Sequence, residues 1–227
     1  MSQLIFKLND KLYLRDPQST QLGQKIIQKS IEMIDHLGFE QFTFKKLAHQ
    51  VHSTEPSIYR YFENKHRLLH YLTAWYWSWL DYRIELATAS LTSAETKLRA
   101  AIRVITAEKK VDPTFQHVNE EALHRIMVSE LEKTYLTKWV DSDNKDGMFH
   151  GFKELTSKLS SYVQEMAPRY PFANSLITTV LLAANEQLFF MQHLPTLSSI
   201  ERKLPAETQH LHLQQFVESL VFTAIQS

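Results

Sequence analysis

The 227-residue chain is long enough for one large domain or two modest ones, and it contains no cysteine, which excludes disulfides, thiolate metal sites and cysteine nucleophiles. Only four glycines are present, which argues against the phosphate-binding loops of α/β enzymes and against a β-sandwich, and indicates an all-α fold. The formal net charge is zero, which excludes a protein that attracts polyanions over its whole surface.

The charges are unevenly distributed along the chain. Residues 20–70 carry seven Lys and Arg against five Asp and Glu, whereas residues 71–227 carry fifteen against eighteen. No apolar run reaches the roughly 20 residues of a membrane span, and the apolar start lacks the basic residues of a signal peptide. We therefore expect a mildly basic head, no membrane association and a cytoplasmic location.

Residues 1–18 are predicted to form an N-terminal arm. Two short β-prone runs, residues 4–8 and 11–14, flank Asn9 and Asp10, a pair that tolerates turn geometry. The pattern predicts either a small β-hairpin or an extended arm packed on the body of the protein.

A first helix is predicted to begin after Ser19 or Thr20, either of which is a good N-cap. Gly38 stands where a left-handed C-cap belongs, and Phe39 follows it to pack back on the helix. The positions at the spacing of a core-facing helix are Leu22, Ile26, Ile27, Ser30, Ile31, Ile34 and Leu37.

Two short helices follow, separated by a tight turn. Thr43 is predicted to cap residues 44–51, and Ser53 or Thr54 is predicted to cap residues 54–62. A longer helix precedes the pair and another follows it. This is the arrangement of a helix-turn-helix, whose second helix enters the major groove of DNA.

The second short helix is predicted to have an apolar and a polar side. Pro56 falls in its first turn, where the missing N–H costs nothing, and Ile58 and Phe62 are expected to face the core. Asn64 is expected to cap the next helix. The residues expected to face solvent or DNA are Thr54, Glu55, Ser57, Tyr59 and Arg60.

These residues resemble the signature of the TetR family (TetR/AcrR type) of transcriptional regulators. The resemblance covers residues 20–70 without a gap. It implies a three-helix DNA-binding head at residues 19–70 and a larger helical ligand-binding and dimerisation domain at 71–227. The matching stretches are residues 39–43, 47–48, 54–62, 64–65 and 68–69.

The resemblance also implies roles by position. Thr43, Tyr59 and Lys65 would contact phosphates through hydroxyl and N–H groups, phenol and ammonium respectively. Lys45 and Lys46 would add salt-sensitive affinity. Base contacts would come from Thr54, Glu55, Pro56, Ser57 and Arg60.

Three residues of the predicted head affect how it would recognise DNA. Arg60 is able to contact guanine with two hydrogen bonds. His52 replaces the glycine that the family usually carries in the turn, and histidine tolerates left-handed geometry at some cost. The carboxylate of Glu55 repels phosphates, although it can accept from cytosine N4. These two residues leave the operator sequence and the affinity for it undetermined, whereas the predicted fold does not depend on them.

The rest of the chain is predicted to be long helices with polar breaks. Residues 141–147 resemble a calcium loop, but Ser142 and Lys153 would stand at ligand positions that need carboxylates, so a helix connection is predicted. The helices are expected near residues 65–90, 93–110, 114–139, 148–167, 172–193 and 206–225.

An aromatic run and a polar triplet are candidate ligand sites. Trp75, Trp79 and Tyr82 share a helical face, either as an aromatic pocket or, as we favour, as ordinary core. A second set lies on one face of the predicted helix 114–139 and includes a Glu-x-x-His pair: His117, Glu121 and His124. A mononuclear metal or ligand hydrogen bonds are possible there, but a solvated face is favoured, and we predict no metal and no cofactor.

The leading hypothesis is a non-enzymatic, sequence-specific regulator. It would bind double-stranded operator DNA as a homodimer, most simply as a repressor, and a small-molecule effector would release it. One alternative is a helical metal-dependent enzyme, which would need His and carboxylates from at least two helices. Another is a helical scaffold that binds other proteins.

Overall fold

The computed structural model describes residues 5–226. The regular secondary structure of this range consists of helices, without a strand. The predicted all-α fold is therefore confirmed. The α-helices of this range are α1 (Gln21–Leu37), α2 (Phe44–Gln50), α3 (Glu55–Tyr59), α4 (Lys65–Thr88), α5 (Ala94–Thr106), α6 (Glu120–Glu130), α7 (Glu132–Tyr135), α8 (Val140–Lys145), α9 (His150–Met166), α10 (Ala173–His193) and α11 (Ala206–Ala224).

The described residues form two compact units, and α4 contributes to both. The first unit comprises the described residues up to Ser78 together with Lys109–His150. The second comprises Trp79–Glu108 together with the described residues from Gly151 onward. The division predicted from the sequence was made by expected function, not by compactness, and it stays a prediction. It gives an arm at 1–18, a head at 19–70 and a C-terminal domain at 71–227.

The described part of the N-terminal arm has two short 3₁₀ turns, Asp10–Leu12 and Pro17–Ser19. Of the two predicted forms, the hairpin is wrong over these residues, whereas an arm packed on the body agrees with the contact between the arm and Tyr61. The first residue of the predicted hairpin, Leu4, lies outside the described range. The Asn9 side chain accepts a hydrogen bond from the Lys11 backbone N–H at 2.9 Å. The chain therefore closes a local turn at this point instead of pairing two strands.

The arm and α1 approach each other closely at Gly23. A Cβ added at Gly23 would lie 2.6 Å from the Pro17 Cα and would also collide with the Pro17 carbonyl oxygen. A real Cβ atom cannot be that close to rigid backbone. The absence of a side chain at this helical position is therefore what lets the arm lie against α1.

We expect Gly23→Ala to lower the free energy of unfolding by about 1–3 kcal/mol, because the clash with the arm outweighs the helix propensity that alanine adds. Urea denaturation followed by circular dichroism measures the change. Gly151→Ala, inside α9, is the control for the propensity gain. If Gly23→Ala is as stable as the parent protein, the arm does not hold this position in solution.

The core of the first unit follows the predicted spacing in α1. The N-cap is Thr20, whose hydroxyl accepts a hydrogen bond from the Gly23 N–H at 3.0 Å. Gly38 ends the helix with a φ of 77°, as its position predicts. The buried residues of the stripe are Ile26, Ile27, Ser30, Ile31 and Ile34.

The chain between α5 and α9 differs from its prediction. The helix expected at 114–139 begins only at Glu120, because the Asn119 side chain caps it by accepting from the Ala122 N–H at 2.9 Å. It is then interrupted, and α7 is a separate short helix. Residues 141–147, predicted as a helix connection, instead contain most of α8.

The second unit has its own helical core and polar contacts. The guanidinium of Arg99 on α5 donates to Glu218 on α11 at 3.0 Å. The ring nitrogen Nδ1 of His210 lies 2.7 Å from the carbonyl oxygen of Thr106 and donates to it. The buried apolar residues include Leu98, Ile102, Leu159, Val163, Ile177, Leu181, Leu213 and Val217. No helix within residues 5–226 is both long enough and apolar enough to cross a membrane.

Candidate nucleic-acid interface

Helices α2 and α3 form a helix-turn-helix in the first unit. The hydroxyl of Thr43 caps α2 by accepting from the Lys46 N–H at 3.3 Å. In the turn, the Ser53 N–H donates to the carbonyl of Ala48 at 2.9 Å. His52 has a φ of 54°, which is the left-handed geometry that its position requires. The sequence is therefore compatible with the turn without a glycine.

Helix α3 is held to the first unit by its inner side. Ile58 and Phe62 are fully buried, as predicted, and the Phe62 ring meets the Tyr71 ring edge-on at 5.4 Å. The Tyr61 hydroxyl lies 2.7 Å from that of Thr20, the N-cap of α1. These contacts fix which side of α3 faces outward.

The outer side of this segment is open to solvent. Thr54, Pro56, Tyr59 and Arg60 are exposed, whereas Glu55 and Ser57 are half-buried. Thr54 is the N-cap of α3, but its hydroxyl pairs with the Ser57 hydroxyl at 2.8 Å instead of capping a backbone N–H. The predicted polar outward side is thus present in the structure.

The residues expected to contact phosphates are exposed, except Lys65, which is half-buried. Thr43, Lys45 and Lys46 are exposed at the start of α2, and the Lys46 ammonium donates to the Gln41 carbonyl at 2.8 Å. The Tyr59 ring is 46% exposed and packs edge-on against Phe44. Tyr59 therefore keeps a fixed position while its phenol is accessible.

Lys65 takes part in a cluster that the sequence did not reveal. Its ammonium donates to the carbonyls of Phe39 at 3.0 Å and Glu40 at 3.3 Å. A phosphate bound at Lys65 would therefore share this ammonium with the loop that contains Phe39 and Glu40. Glu130 on α6 accepts from the Phe39 N–H at 2.9 Å, and Lys133 pairs with Glu40 at 2.7 Å. The hydrogen bond from Lys133 lowers the pKa of the Glu40 carboxyl. We call these five residues the head junction.

The aromatic residues of α4 lie in both units. Trp75, in the first unit, is buried and meets the rings of Phe6 and Phe115, each at 5.3 Å. Beside it is a cavity of only about 20 Å³, which His117 also borders. In the second unit Trp79 is buried and Tyr82 is half-buried. Their assignment to a ligand pocket stays a prediction.

The polar triplet does not share one helical face. His117 precedes α6, and Glu121 is exposed and pairs with Arg125 at 2.7 Å, whereas His124 is buried. The shared face was wrongly predicted because the helix begins later than expected. Whether any of the three binds a ligand stays a prediction.

His124 belongs to a buried polar pair. Its Nδ1 lies 2.8 Å from the Tyr76 hydroxyl, and the two rings stack with their centres 5.7 Å apart. Burial raises the pKa of the Tyr76 phenol, so the tyrosine stays neutral. Among residues 5–226, no group of three or more His, Asp and Glu side chains is arranged to hold a metal ion.

Comparison with known families identifies the head. Residues 26–72 match the family model described as bacterial regulatory proteins, tetR family. The match covers α2, α3 and the turn between them, together with the neighbouring parts of α1 and α4. No curated protein matches the chain.

Solved structures share the fold over most of the chain. The fatty acid degradation regulator FadR from Bacillus halodurans is 15% identical, with a TM-score of 0.61 over 87% of this chain and 95% of that one. AibR, solved with isovaleryl coenzyme A and operator DNA, is 12% identical, with a TM-score of 0.56 over 85% and 97%. The superantigen PfiT is 15% identical, with a TM-score of 0.58 over 94% and 100%. The chain thus shares the fold of these three proteins over most of its length.

Proposed function

We propose that the chain, whose residues 26–72 match the family model of tetR-family bacterial regulatory proteins, is a transcriptional repressor. It acts on operator DNA in the cytoplasm as a homodimer, and a small-molecule effector releases it. The protein carries out no reaction of its own. The alternatives of a metal-dependent enzyme and of a scaffold are not favoured.

The observation that carries this proposal is the outward side of α3. A short helix is anchored by Ile58 and Phe62, while Thr54, Tyr59 and Arg60 project into solvent. Such a helix can enter the major groove, where hydroxyl and guanidinium groups reach base edges and phosphates.

Dimerisation follows from the geometry of operators. Two half-sites lie about 34–36 Å apart, so a two-fold protein is needed to occupy both. Leu211, Phe216 and Leu220 on α11 are exposed apolar residues and are candidates for the contact between protomers. Sedimentation of the pure protein as a monomer at micromolar concentration would contradict the dimer.

Release by an effector would be a shift between two states of the dimer. A ligand that binds better to a state with the wrong spacing of its two α3 helices lowers the population that fits DNA. AibR, which shares the fold, was solved with isovaleryl coenzyme A and operator DNA, so one protein of this fold binds both a small molecule and DNA.

A gel-shift selection against genomic fragments tests the proposal. We expect a small set of fragments to be retained with an affinity well above that for bulk DNA. Binding without any sequence preference, with and without cell extract, would overturn the proposal. The genes next to the retained fragments would then give the regulated unit.

Lys45→Ala is expected to weaken binding to operator and unrelated DNA alike, because the ammonium of this exposed α2 residue contributes through phosphates. The slope of log affinity against log salt concentration should fall by about 1. Fluorescence anisotropy at several salt concentrations measures it. Lys203→Ala, an exposed lysine of the second unit, should leave the slope unchanged.

A further inference from the structure

A cleft of about 590 Å³ opens in the first unit between the start of α4 and the chain from α7 to α8. Its size is in the range of small-molecule sites. It is much larger than the cavity of about 20 Å³ beside Trp75, so it is the stronger candidate for a ligand. The residues that matter for its chemistry are His66, Arg67, His70, Lys133, Lys138 and Trp139.

Three cations and two carboxylates line the cleft, and Lys133 is also paired with Glu40 and Glu130, at 2.7 and 2.9 Å. Arg67, Lys133 and Lys138 face Glu63 and Asp143. The buried Asp143 carboxylate accepts from the Arg67 guanidinium at 2.9 Å, which uses one of its five N–H donors. Glu63 is mostly exposed and lies 3.9 Å from Arg67, so this pair is weak.

Two histidines add to the capacity for an anion. His66 is exposed at the cleft, whereas His70 is buried and lies 3.5 Å from Asp143. Burial lowers the pKa of both imidazoles, so they are mainly neutral above pH 7. A neutral imidazole still offers one N–H donor to an anion, and a bound anion would favour its protonation.

An indole stands at the rim of the same cleft. Trp139 is 73% exposed and is one of the residues that line the cleft. Lys138 is its neighbour in the chain and is also exposed. An accessible indole next to cations is an arrangement that stacks planar rings and holds the charged groups attached to them.

We propose that this cleft is the effector site and that its ligand is a planar ring compound carrying phosphate groups. The ring stacks on Trp139, and the phosphates meet Arg67, Lys133 and Lys138. The binding site stands on the cleft alone, but its role as effector site rests on the proposed function.

The cleft and the head junction share one residue, Lys133, which gives the ligand a route to DNA binding. Lys133 lines the cleft and pairs with Glu40 and Glu130 of the junction, at 2.7 and 2.9 Å. Arg67 stands two residues after Lys65, whose ammonium holds the loop before α2. An anion that draws Lys133 toward itself therefore weakens its pairs with Glu40 and Glu130 in the head junction.

Calorimetric titration of the full chain with ADP, adenosine and pyrophosphate separates the two parts of the ligand. We expect ADP to bind more tightly than either fragment. Lys138→Ala should weaken ADP and pyrophosphate by about 10-fold and leave adenosine unchanged. Trp139→Ala should weaken ADP and adenosine by about 10-fold and leave pyrophosphate unchanged.

Both side chains are exposed, so the variants are expected to keep their fold, and circular dichroism checks this. Lys203→Ala and Phe172→Ala, exposed residues of the second unit, are the matched controls. No binding of ADP at millimolar concentration overturns the site, as does binding that both cleft variants retain.

A gel shift with operator DNA in the absence of ligand tests the repressor proposal separately from the proposed ligand site in the cleft. Operator binding without ADP binding overturns the cleft and leaves the repressor standing. ADP binding in the cleft without operator binding overturns the repressor and leaves the binding site standing. If both occur, ADP should weaken the operator complex of the parent protein and have less effect on Lys138→Ala.

Discussion

Arg60→Ala should lower the affinity for operator DNA by about 10-fold or more for each half-site, because a bidentate contact of arginine to guanine is worth about 1–3 kcal/mol. Arg60 is exposed directly after α3, on the side of the segment that the buried Ile58 and Phe62 leave free. Since a homodimer uses two copies, the loss should be larger on the full operator than on a half-site. Anisotropy titration with both DNA lengths measures it.

The loss at Arg60 should depend on sequence, which distinguishes it from the loss at Lys45. Operators altered at the contacted base pair should bind the variant and the parent protein with similar affinity, since the variant no longer reads that pair. Arg169→Ala removes the same charge from an exposed position of the second unit and should have no effect. Equal loss on operator and unrelated DNA would show that Arg60 contacts only phosphates.

Phe62→Ala should destabilise the first unit by about 3–5 kcal/mol, the usual cost of removing a fully buried phenylalanine ring. The ring lies against Tyr71 of α4 and closes the inner side of the α3 segment. A loss of this size is a large part of the stability of a typical domain, about 5–15 kcal/mol. Denaturant titration followed by circular dichroism measures the change.

The same variant should also lose operator binding, because α3 no longer has a fixed orientation. Phe62→Leu keeps most of the buried volume and should retain most of the stability and of the DNA affinity. Phe172→Ala removes a ring that is 61% exposed and should change stability by less than about 0.5 kcal/mol. A Phe62→Ala protein as stable as the Phe172→Ala control would contradict the buried anchor.

The head was predictable from sequence because its signals act over a few residues. Thr20 and Thr43 each cap the backbone N–H three positions on, and Gly38 and His52 stand where positive φ is needed. The failures also have local causes. The turn at Asn9 replaced a hairpin, and the cap at Asn119 shortened a helix whose bounds had been placed from the polar breaks of the sequence.

The candidate ligand sites could not be predicted as well from the sequence. His117, Glu121 and His124 have the spacing of one helical face, but the first precedes α6, the second is exposed and the third is buried against Tyr76. The aromatic run of α4 was correctly expected to be mostly buried. Periodicity reports that a side chain is buried but does not identify the partner that buries it.

What the amino-acid sequence determined by itself is the helical character, the turn of the head and the polar outward side of α3, since caps, turn residues and apolar spacing act between near neighbours. Only the tertiary structure decided the head junction and the cleft. The hydrogen bond from Phe39 to Glu130 joins residues 91 positions apart, and the one from Arg67 to Asp143 joins residues 76 apart. Contacts at such separation depend on how whole helices pack, and no local pattern specifies them.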